Sequence, residues 1–242
     1  MNQQLFAELS WLEHGVLQAN SSNGPELHSP FLEGLAKHSS EAILKAATLR
    51  EMKAGSMVTN QDEAAEHLFM LVTGCARHFF VTPDGKKVLL LWLRPGDIIG
   101  GMALLPSASK YLVSSELVKD SSLAVWRRQT ILALAAQHPR LLSNGLVIAS
   151  EYMIWYIATH SALVSKTARQ RLARVLIELS LGIGRQTAEG VELTLRNEEL
   201  ANAANVTPFT VSRLLNQWER KGALVKRRGR LMLCDLQVLA GS

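Results

Sequence analysis

The feature that most restricts the fold of this chain is an apolar series in residues 139–165, spaced alternately four and three residues apart. The series is Leu142, Leu146, Ala149, Met153, Tyr156, His160 and Leu163. This alternation is the heptad pattern of a helix that packs along a second helix. We therefore predict one long helix over 139–165, with these seven residues as the seam of a homodimer. The alternative is a helix that packs only on its own domain.

A second pattern, short apolar segments separated by turn residues, occupies about residues 51–126. The clearest turn is Thr82-Pro-Asp-Gly85, which lies between two strand-like segments. Many short strands at this spacing predict an antiparallel β-barrel or sandwich. Helices are predicted over about 31–50 and 129–136, and a short amphipathic helix is predicted over 1–20.

Residues 197–221 carry the signals of two helices joined by a tight turn. The first helix would begin at an Asn197 cap, and Asn205 suits a left-handed turn position. Thr207 followed by Pro208 is a strong start for the second helix. The buried stripe of that helix would be Val211, Leu214, Leu215 and Trp218. The pattern predicts a helix-turn-helix, whose second helix enters the major groove of DNA, rather than an unrelated helical hairpin.

A basic hairpin pattern follows the second helix over 224–233, and it would form a wing that contacts phosphates. Arg213 is the best candidate base reader, because a guanidinium can bond guanine O6 and N7 together. Phe209 cannot accept a hydrogen bond from a cytosine amine, so it would contact a thymine methyl or the sugar–phosphate. The predicted DNA-binding residues are Thr207, Phe209, Thr210, Ser212, Arg213, Asn216, Lys226, Arg227, Arg228 and Arg230.

The charge distribution agrees with this division of the chain. Of 242 residues with a formal net charge of +5, residues 166–242 hold 13 Lys and Arg against seven Asp and Glu. Residues 1–165 hold 13 against 14, so the positive excess lies in the last third. The alternative is a solvated basic face that has no partner. The predicted segments are an N-terminal helix and linker (1–25), an effector-sensing β-barrel domain (26–138), a dimerisation helix (139–165) and a winged helix-turn-helix DNA-binding domain (166–242).

Several classes of protein are not expected from this sequence. No uninterrupted apolar run reaches about 18 residues, and the N-terminal segment lacks the features of a signal peptide. The two cysteines, Cys75 and Cys234, cannot form a disulfide framework or a four-thiolate metal site. Since no nucleophile elbow, phosphate loop or metal-ligand cluster is present, we expect no enzyme, no catalytic residue and no metal site. The expectation is a soluble cytoplasmic protein without a membrane partner.

The order of barrel, long helix, helix-turn-helix and basic wing resembles the Crp/Fnr family of bacterial transcription regulators. Gly96-Asp-Ile-Ile-Gly100 is similar to the family's barrel turn, and Thr210-Val-Ser-Arg213 is similar to the T-V-[GS]-R of its recognition helix. The resemblance covers about residues 30–235. It implies an α+β fold with a cyclic-nucleotide-binding-like jelly roll, and a homodimer on double-stranded DNA with an inverted-repeat operator. An effector in the barrel would shift the long helices and reorient the DNA-binding domains.

Two further expectations concern partners. RNA polymerase is expected as a partner of the DNA-bound regulator. The alternative function is a ligand-binding module whose C-terminal domain contacts another protein and does not bind an operator.

The recognition helix departs from the family pattern at its start. The family's S-R-E-T-V is here Thr207-Pro-Phe-Thr-Val211. Pro208 stands in place of the family's first Arg, and Phe209 stands in place of its base-reading Glu. Only Arg213 carries over as a base reader, so the operator is expected to differ from those of the best-known members.

The effector site departs from the family's cyclic-nucleotide pattern as well. Gly101 stands where those members have a ribose-binding Glu, and Tyr111 and Leu112 stand near their phosphate-gripping Arg-Ser pair. A phosphate buried without Arg is poorly compensated, so cyclic AMP or GMP is not expected. A pocket for an unknown effector would be lined by Leu89, Leu91, Gly100, Gly101, Met102, Tyr111, Leu112 and Trp155.

Other sensing cofactors are judged from cysteine and histidine. The N-terminal segment has no Cys, so the iron–sulfur cluster of the Fnr branch is not expected. Haem stays open, with His14, His67, His78 and His160 as the conceivable ligands.

Overall fold

The computed structural model describes residues 27–107, 109–227 and 229–240. These residues form two compact units, which divide between His160 and Ser161, inside the long helix. The predicted N-terminal helix and linker, residues 1–25, lie outside the described residues. Each unit has its own core, and each is considered separately below.

The first unit is built from two four-stranded antiparallel sheets. The described strands are β1 (Thr48–Met52), β2 (Met57–Thr59), β3 (His67–Thr73), β4 (Ala76–Val81), β5 (Lys87–Leu93), β6 (Ile98–Ile99), β7 (Ser114–Leu117) and β8 (Ser121–Arg127). One sheet has the order β1-β8-β3-β6, and the other has the order β2-β7-β4-β5. An apolar core that includes Leu68, Trp126, Leu93 and Leu117 joins the two sheets. The predicted jelly roll is confirmed, as two open sheets and not as a closed barrel.

The helices of the first unit flank these sheets. They are α1 (Lys37–Lys45), α2 (Arg128–Gln137) and α3 (Arg140–Ser165), with short 3₁₀ turns at Pro30–Leu32 and Gly101–Leu104. The residues of α3 after His160 belong to the second unit. The long helix predicted over 139–165 is confirmed. Asn144 anchors it, because its Nδ2 donates to the carbonyl oxygens of Phe31 and Glu33, both at 2.9 Å.

The helix predicted over 31–50 is wrong at both ends. Only Lys37–Lys45 is α-helical, and Thr48–Met52 pairs as β1 with β8, with Leu49 opposite Ala124. Trp126 Nε1 donates to the carbonyl of Ile43 at 2.8 Å and holds α1 against the sheet. A helical spacing of apolar residues does not exclude a strand when the partner strand lies far along the chain.

Two glycines have backbone conformations that the fold requires. Gly85 has φ +80° and donates its N–H to the carbonyl of Thr82 at 2.8 Å, which confirms the turn between β4 and β5. Gly100 has φ +81°, and a Cβ there would lie 2.8 Å from both the His67 carbonyl oxygen and the Tyr111 ring. The turn after β6 therefore brings the backbone close to Tyr111, which only glycine allows.

The second unit combines helices with one four-stranded antiparallel sheet of order β11-β12-β10-β9. Its elements after α3 are α4 (Ala168–Gly182), β9 (Arg185–Thr187), β10 (Gly190–Leu193), α5 (Asn197–Ala204), α6 (Pro208–Arg220), β11 (Leu224–Arg227), β12 (Arg230–Leu233) and α7 (Leu236–Ala240). The hairpin β11–β12 confirms the predicted wing. The hairpin β9–β10 was not predicted, because its strands are short and lack strong alternation.

Candidate functional site

The turn between α5 and α6 has the geometry of a helix-turn-helix. Asn205 ends α5 in the left-handed conformation, with φ 49° and ψ 57°. Thr207 caps α6, because its Oγ1 accepts a hydrogen bond from the N–H of Thr210 at 3.1 Å. Pro208 is the first helical residue. These three predicted signals therefore act together to orient α6 relative to α5.

The start of α5 differs from the prediction by one residue. The N-cap is Arg196, and Asn197 is already helical. The Oε2 of Glu199 accepts a hydrogen bond from the N–H of Arg196 at 2.9 Å. An acidic side chain three residues after the cap thus accepts a hydrogen bond from the backbone N–H of the cap residue, as in a capping box.

Helix α6 has one buried face and one face open to solvent. Val211, Leu214, Leu215 and Trp218 are buried, as predicted. Phe209 is 78% exposed and Arg213 is exposed, whereas Thr210, Ser212 and Asn216 are half-buried. Among the described residues, no hydrogen bond or ion pair engages the Arg213 guanidinium. Within the part of the chain that the structure describes, the open face thus offers the unpaired Arg213 guanidinium and one large apolar side chain, Phe209, to a partner.

Two arginines of α4 support this geometry, and sequence reasoning missed both. Arg171 donates from Nε to the carbonyl of Ala204 at 3.0 Å and from Nη2 to that of Asn205 at 3.1 Å. Arg169 lies over the Trp218 ring, 5.3 Å from its centre. In the sequence, these two arginines add to the positive charge of the C-terminal third, and no local pattern indicates their contacts. In the structure they position the turn and the buried face of α6.

The cations of the wing have carboxylate partners within their own domain. Lys226 pairs with Glu219 at 3.1 Å and also bonds the side chain of Asn216. Arg227 pairs with Glu189 at 2.8 Å. Hydrogen bonds from Lys226 lower the pKa of Glu219. The fourth predicted wing cation, Arg228, lies outside the described residues.

The remaining wing cation, Arg230, shares a buried carboxylate. The Glu192 carboxylate pairs with the guanidinium of Arg185 at 2.8 Å and with that of Arg230 at 3.5 Å. The hydrogen bond from Arg185 is the main cause of the lowered pKa of Glu192, so the carboxylate stays ionised. This arrangement holds the wing to β10.

The inner face of the second sheet of the first unit carries a polar row. The Oγ of Ser115 lies 2.6 Å from Thr59 Oγ1 and 2.9 Å from His78 Nδ1. All three residues are buried. Burial lowers the pKa of His78 to about 4, so the imidazole is neutral. Sequence reasoning considered His78 only as a haem ligand and missed the hydroxyls, because ladder pairing across three strands creates the row.

The predicted effector-pocket residues fall into three groups. Leu89, Leu91, Gly100, Met102 and Trp155 are half-buried. Tyr111 is buried, but its hydroxyl donates to the His67 carbonyl at 2.9 Å and accepts from the His67 N–H at 3.1 Å. Gly101 is exposed and Leu112 is 65% exposed. Tyr111 therefore fastens the strand end, and Leu112 faces solvent.

The other conceivable haem ligands are scattered. His67 is half-buried and its pKa is lowered by burial, His160 is exposed, and His14 lies outside the described residues. Within residues 27–107, 109–227 and 229–240, no group of three or more His, Cys, Asp or Glu is placed to hold a metal ion. Burial raises the pKa of the Cys75 thiol to about 11, as expected for an unreactive core residue.

The long helix α3 leaves a broad apolar arc uncovered. Leu141, Asn144 and Ile148 are buried in the first unit. On the opposite side, Leu146, Met153 and Ile157 are 70%, 61% and 59% exposed. All seven residues of the predicted seam are exposed as well, with Tyr156 at 37% and Leu163 at 40%. The centre of the uncovered arc is thus rotated from the predicted seam, although both include Leu146 and Met153.

The same helix is long and apolar enough to cross a membrane by length and composition, with 17% of its most apolar window buried. A single helix of this kind is weak evidence for a membrane span. The heptad spacing of its exposed residues indicates a partner helix instead.

Two family profiles match the chain, and they fall on different units. The cyclic nucleotide-binding domain matches residues 49–138, which contain the two sheets. The Crp-like helix-turn-helix domain matches residues 170–241, which contain α5, α6 and the wing. Their order along the chain is the order of sensing and DNA-binding parts predicted from the sequence.

Curated relatives match over most of their length. The anaerobic regulatory protein of Bacillus subtilis (strain 168) is 24% identical over 204 residues, covering 80% of this chain and 82% of the relative. The cyclic AMP receptor protein of Thermus thermophilus is 26% identical over 196 residues, covering 81% and 88%. The match therefore spans both units and the helix between the two profiles.

Solved structures show the same architecture. FixK2 from Bradyrhizobium japonicum has a TM-score of 0.68 at 23% identity, with 81% of this chain and 96% of that chain covered. A transcriptional regulator of the CRP family from Thermus thermophilus has a TM-score of 0.68 at 25% identity, covering 80% and 97%.

Proposed function

This chain belongs to the Crp/Fnr family of transcription regulators, and we propose that it works as a homodimer that reads an inverted-repeat operator through α6. Regulators of this family bind DNA and act as dimers, and the family does not consist of enzymes. The observation that carries the proposal is the open face of α6, where Arg213 is exposed and has no partner among the described residues, beside a basic wing. An unpaired guanidinium can bond guanine bidentately in the major groove.

The homodimer contact is proposed to lie along the uncovered arc of α3. Leu146, Met153 and Ile157 follow one another at intervals of seven and four residues, which is heptad spacing. They face away from the residues that pack on the first unit. A two-fold dimer buries the same patch on both copies, so one arc serves both subunits.

The effector of the first unit is proposed to be something other than a cyclic nucleotide. Tyr111, near the expected phosphate position, is bonded to its own chain, and Leu112 beside it faces solvent. Neither side chain carries the positive charge that a buried phosphate needs, so these residues do not fit this ligand. The polar row inside the first unit carries no positive charge either, because it consists of the Ser115 and Thr59 hydroxyls and the neutral His78 imidazole.

We also propose RNA polymerase as a partner of the DNA-bound protein and the cytoplasm as its location. A regulator bound to an operator changes transcription by helping or blocking the polymerase, and bacterial chromosomes lie in the cytoplasm. Support comes from the family's role in transcription.

The test is to replace the proposed base reader and compare specific with random DNA. Arg213→Ala should abolish preference for the operator found by genomic footprinting, while salt-sensitive binding to random DNA persists. Arg220→Ala is the matched control, because it removes an exposed arginine at the far end of α6, about 10 Å along the helix.

The Arg220→Ala variant should lose affinity for operator and random DNA equally. The reason is that residues near the start of a recognition helix contact the bases, and Arg220 lies at its far end. Equal loss on both DNAs for Arg213→Ala would remove it as a reader. Absence of any salt-dependent DNA binding by the full-length protein would favour the alternative of a protein-contact module.

A further inference from the structure

Phe209 is an apolar side chain placed where a polar one is expected. It is the second residue of α6 and is 78% exposed, the most exposed aromatic residue described. The nearby hydroxyls are already used: Thr207 caps the helix, and its Oγ1 lies 3.0 Å from that of Thr210. Phe209 therefore stands at the start of the recognition helix without packing on its own domain.

The chemistry of the major groove restricts what Phe209 can recognise. The base edges present hydrogen-bond donors and acceptors, which a phenyl ring cannot satisfy, and one apolar group, the 5-methyl of thymine. Contact with that methyl removes apolar surface of both partners from water. Contact with a cytosine or purine edge at the same place would bury polar groups without partners.

The position of Phe209 relative to Arg213 limits where the thymine can lie. The two residues are four apart, so they share a face of α6 and are separated by about 6 Å along the helix. Successive base pairs are about 3.4 Å apart. The two contacts therefore fall within about two base-pair steps of each other in one half-site.

We propose that Phe209 reads the 5-methyl group of a thymine in each operator half-site, within about two base-pair steps of the guanine bound by Arg213. This inference rests on the proposed operator binding by α6. It adds a base preference to that binding, and the preference comes from an apolar contact alone.

The test removes only the methyl group. The full-length protein first selects its operator from random DNA. Each thymine of the half-site is then replaced by deoxyuridine, which keeps the base pairing and every polar atom. At one position per half-site, the substitution should weaken binding by about fourfold, the effect of one buried methyl group, and by about 15-fold in both half-sites together.

Variants assign that loss to Phe209. Phe209→Ala should bind the thymine and deoxyuridine operators equally, and because the residue is exposed the variant should keep the wild-type melting temperature. Arg213→Ala should lose the guanine preference but keep the difference between thymine and deoxyuridine. As a converse test, 5-methylcytosine placed at the sensitive position should bind more tightly than cytosine.

The possible contrary results are distinct. If wild-type protein binds thymine and deoxyuridine operators equally at every position, the methyl contact does not exist. If Phe209→Ala weakens all DNA equally, the ring packs on the sugar–phosphate, and the inference is wrong. If no sequence is selected at all, the proposed function fails together with the inference.

Discussion

The buried imidazole of His78 makes the stability of the first unit depend on pH. Its Nδ1 bonds the Ser115 hydroxyl at 2.9 Å, inside the sheet. Burial is the cause of its lowered pKa, about 4 against 6.5 for an exposed histidine. Because the folded state holds the neutral form, the unfolded state binds the extra proton between these two values.

The predicted consequence is a loss of stability as pH falls. The contribution of His78 is fully present above pH 6.5 and declines as pH drops towards 4, by at most about 3 kcal/mol. Urea unfolding of the full-length protein at a series of pH values measures it. His78→Gln keeps a polar side chain but cannot titrate, so its unfolding free energy should change less over this range. An unchanged pH slope in the variant would show that other groups dominate.

At the scale of the element, α3 illustrates the difference between periodicity and exposure. The spacing of Leu142, Ala149 and Tyr156 predicts one seam, but the uncovered arc is centred nearer Ile157. Any apolar helix buried on two sides offers more than one heptad register. Only the packing of Leu141 and Ile148 on the first unit shows which side remains for a partner.

Cysteine cross-linking distinguishes the two registers. In a Cys234→Ser background, which removes the exposed thiol, Ile157→Cys should form a disulfide-linked dimer under mild oxidation. Residues at the centre of a two-fold seam approach their own copies within the distance a disulfide needs. Tyr156→Cys is the neighbouring control and should cross-link more slowly. Faster cross-linking of Tyr156→Cys would support the register predicted from spacing.

At the scale of the whole molecule, the net charge overstates the number of cations that are free to contact DNA. Residues 166–242 carry a net charge of +6. However, Arg171 bonds backbone carbonyls, and Arg227 and Arg230 pair with Glu189 and Glu192. The surface pairs are weak and exchange readily for phosphate, so they tune non-specific affinity and do not abolish it.

Releasing one wing cation should strengthen binding without changing specificity. Glu189→Gln frees Arg227 and should raise affinity for operator and random DNA alike, by up to about fivefold per subunit at low salt. The gain should shrink as salt increases, because counterions screen exposed charges. Filter binding or anisotropy over a salt series measures it. Glu198→Gln, which removes an exposed carboxylate of α5, is the control. A gain on operator DNA only would contradict this interpretation.

The elements that sequence predicted well are those with local signals. The α5–α6 turn follows from Asn205, Thr207 and Pro208, which lie within four residues. The wing follows from two short strands around Gly229. The prediction failed for β1, where the helical spacing of residues 31–50 did not reveal pairing with β8. It also missed the roles of Arg169 and Arg171, whose partners lie more than 30 residues away.

By itself, the sequence determined the order of the parts and the kind of regulator: sheets, long helix, recognition helix and basic wing. Caps, turns and helical periods act over a few residues, so they can be identified without knowing the fold. The tertiary structure alone decided which wing cations are paired, which groups meet around His78, and which side of α3 stays uncovered. These depend on contacts between residues that are distant in the chain, and strand pairing and helix packing bring them together in ways that no local pattern specifies.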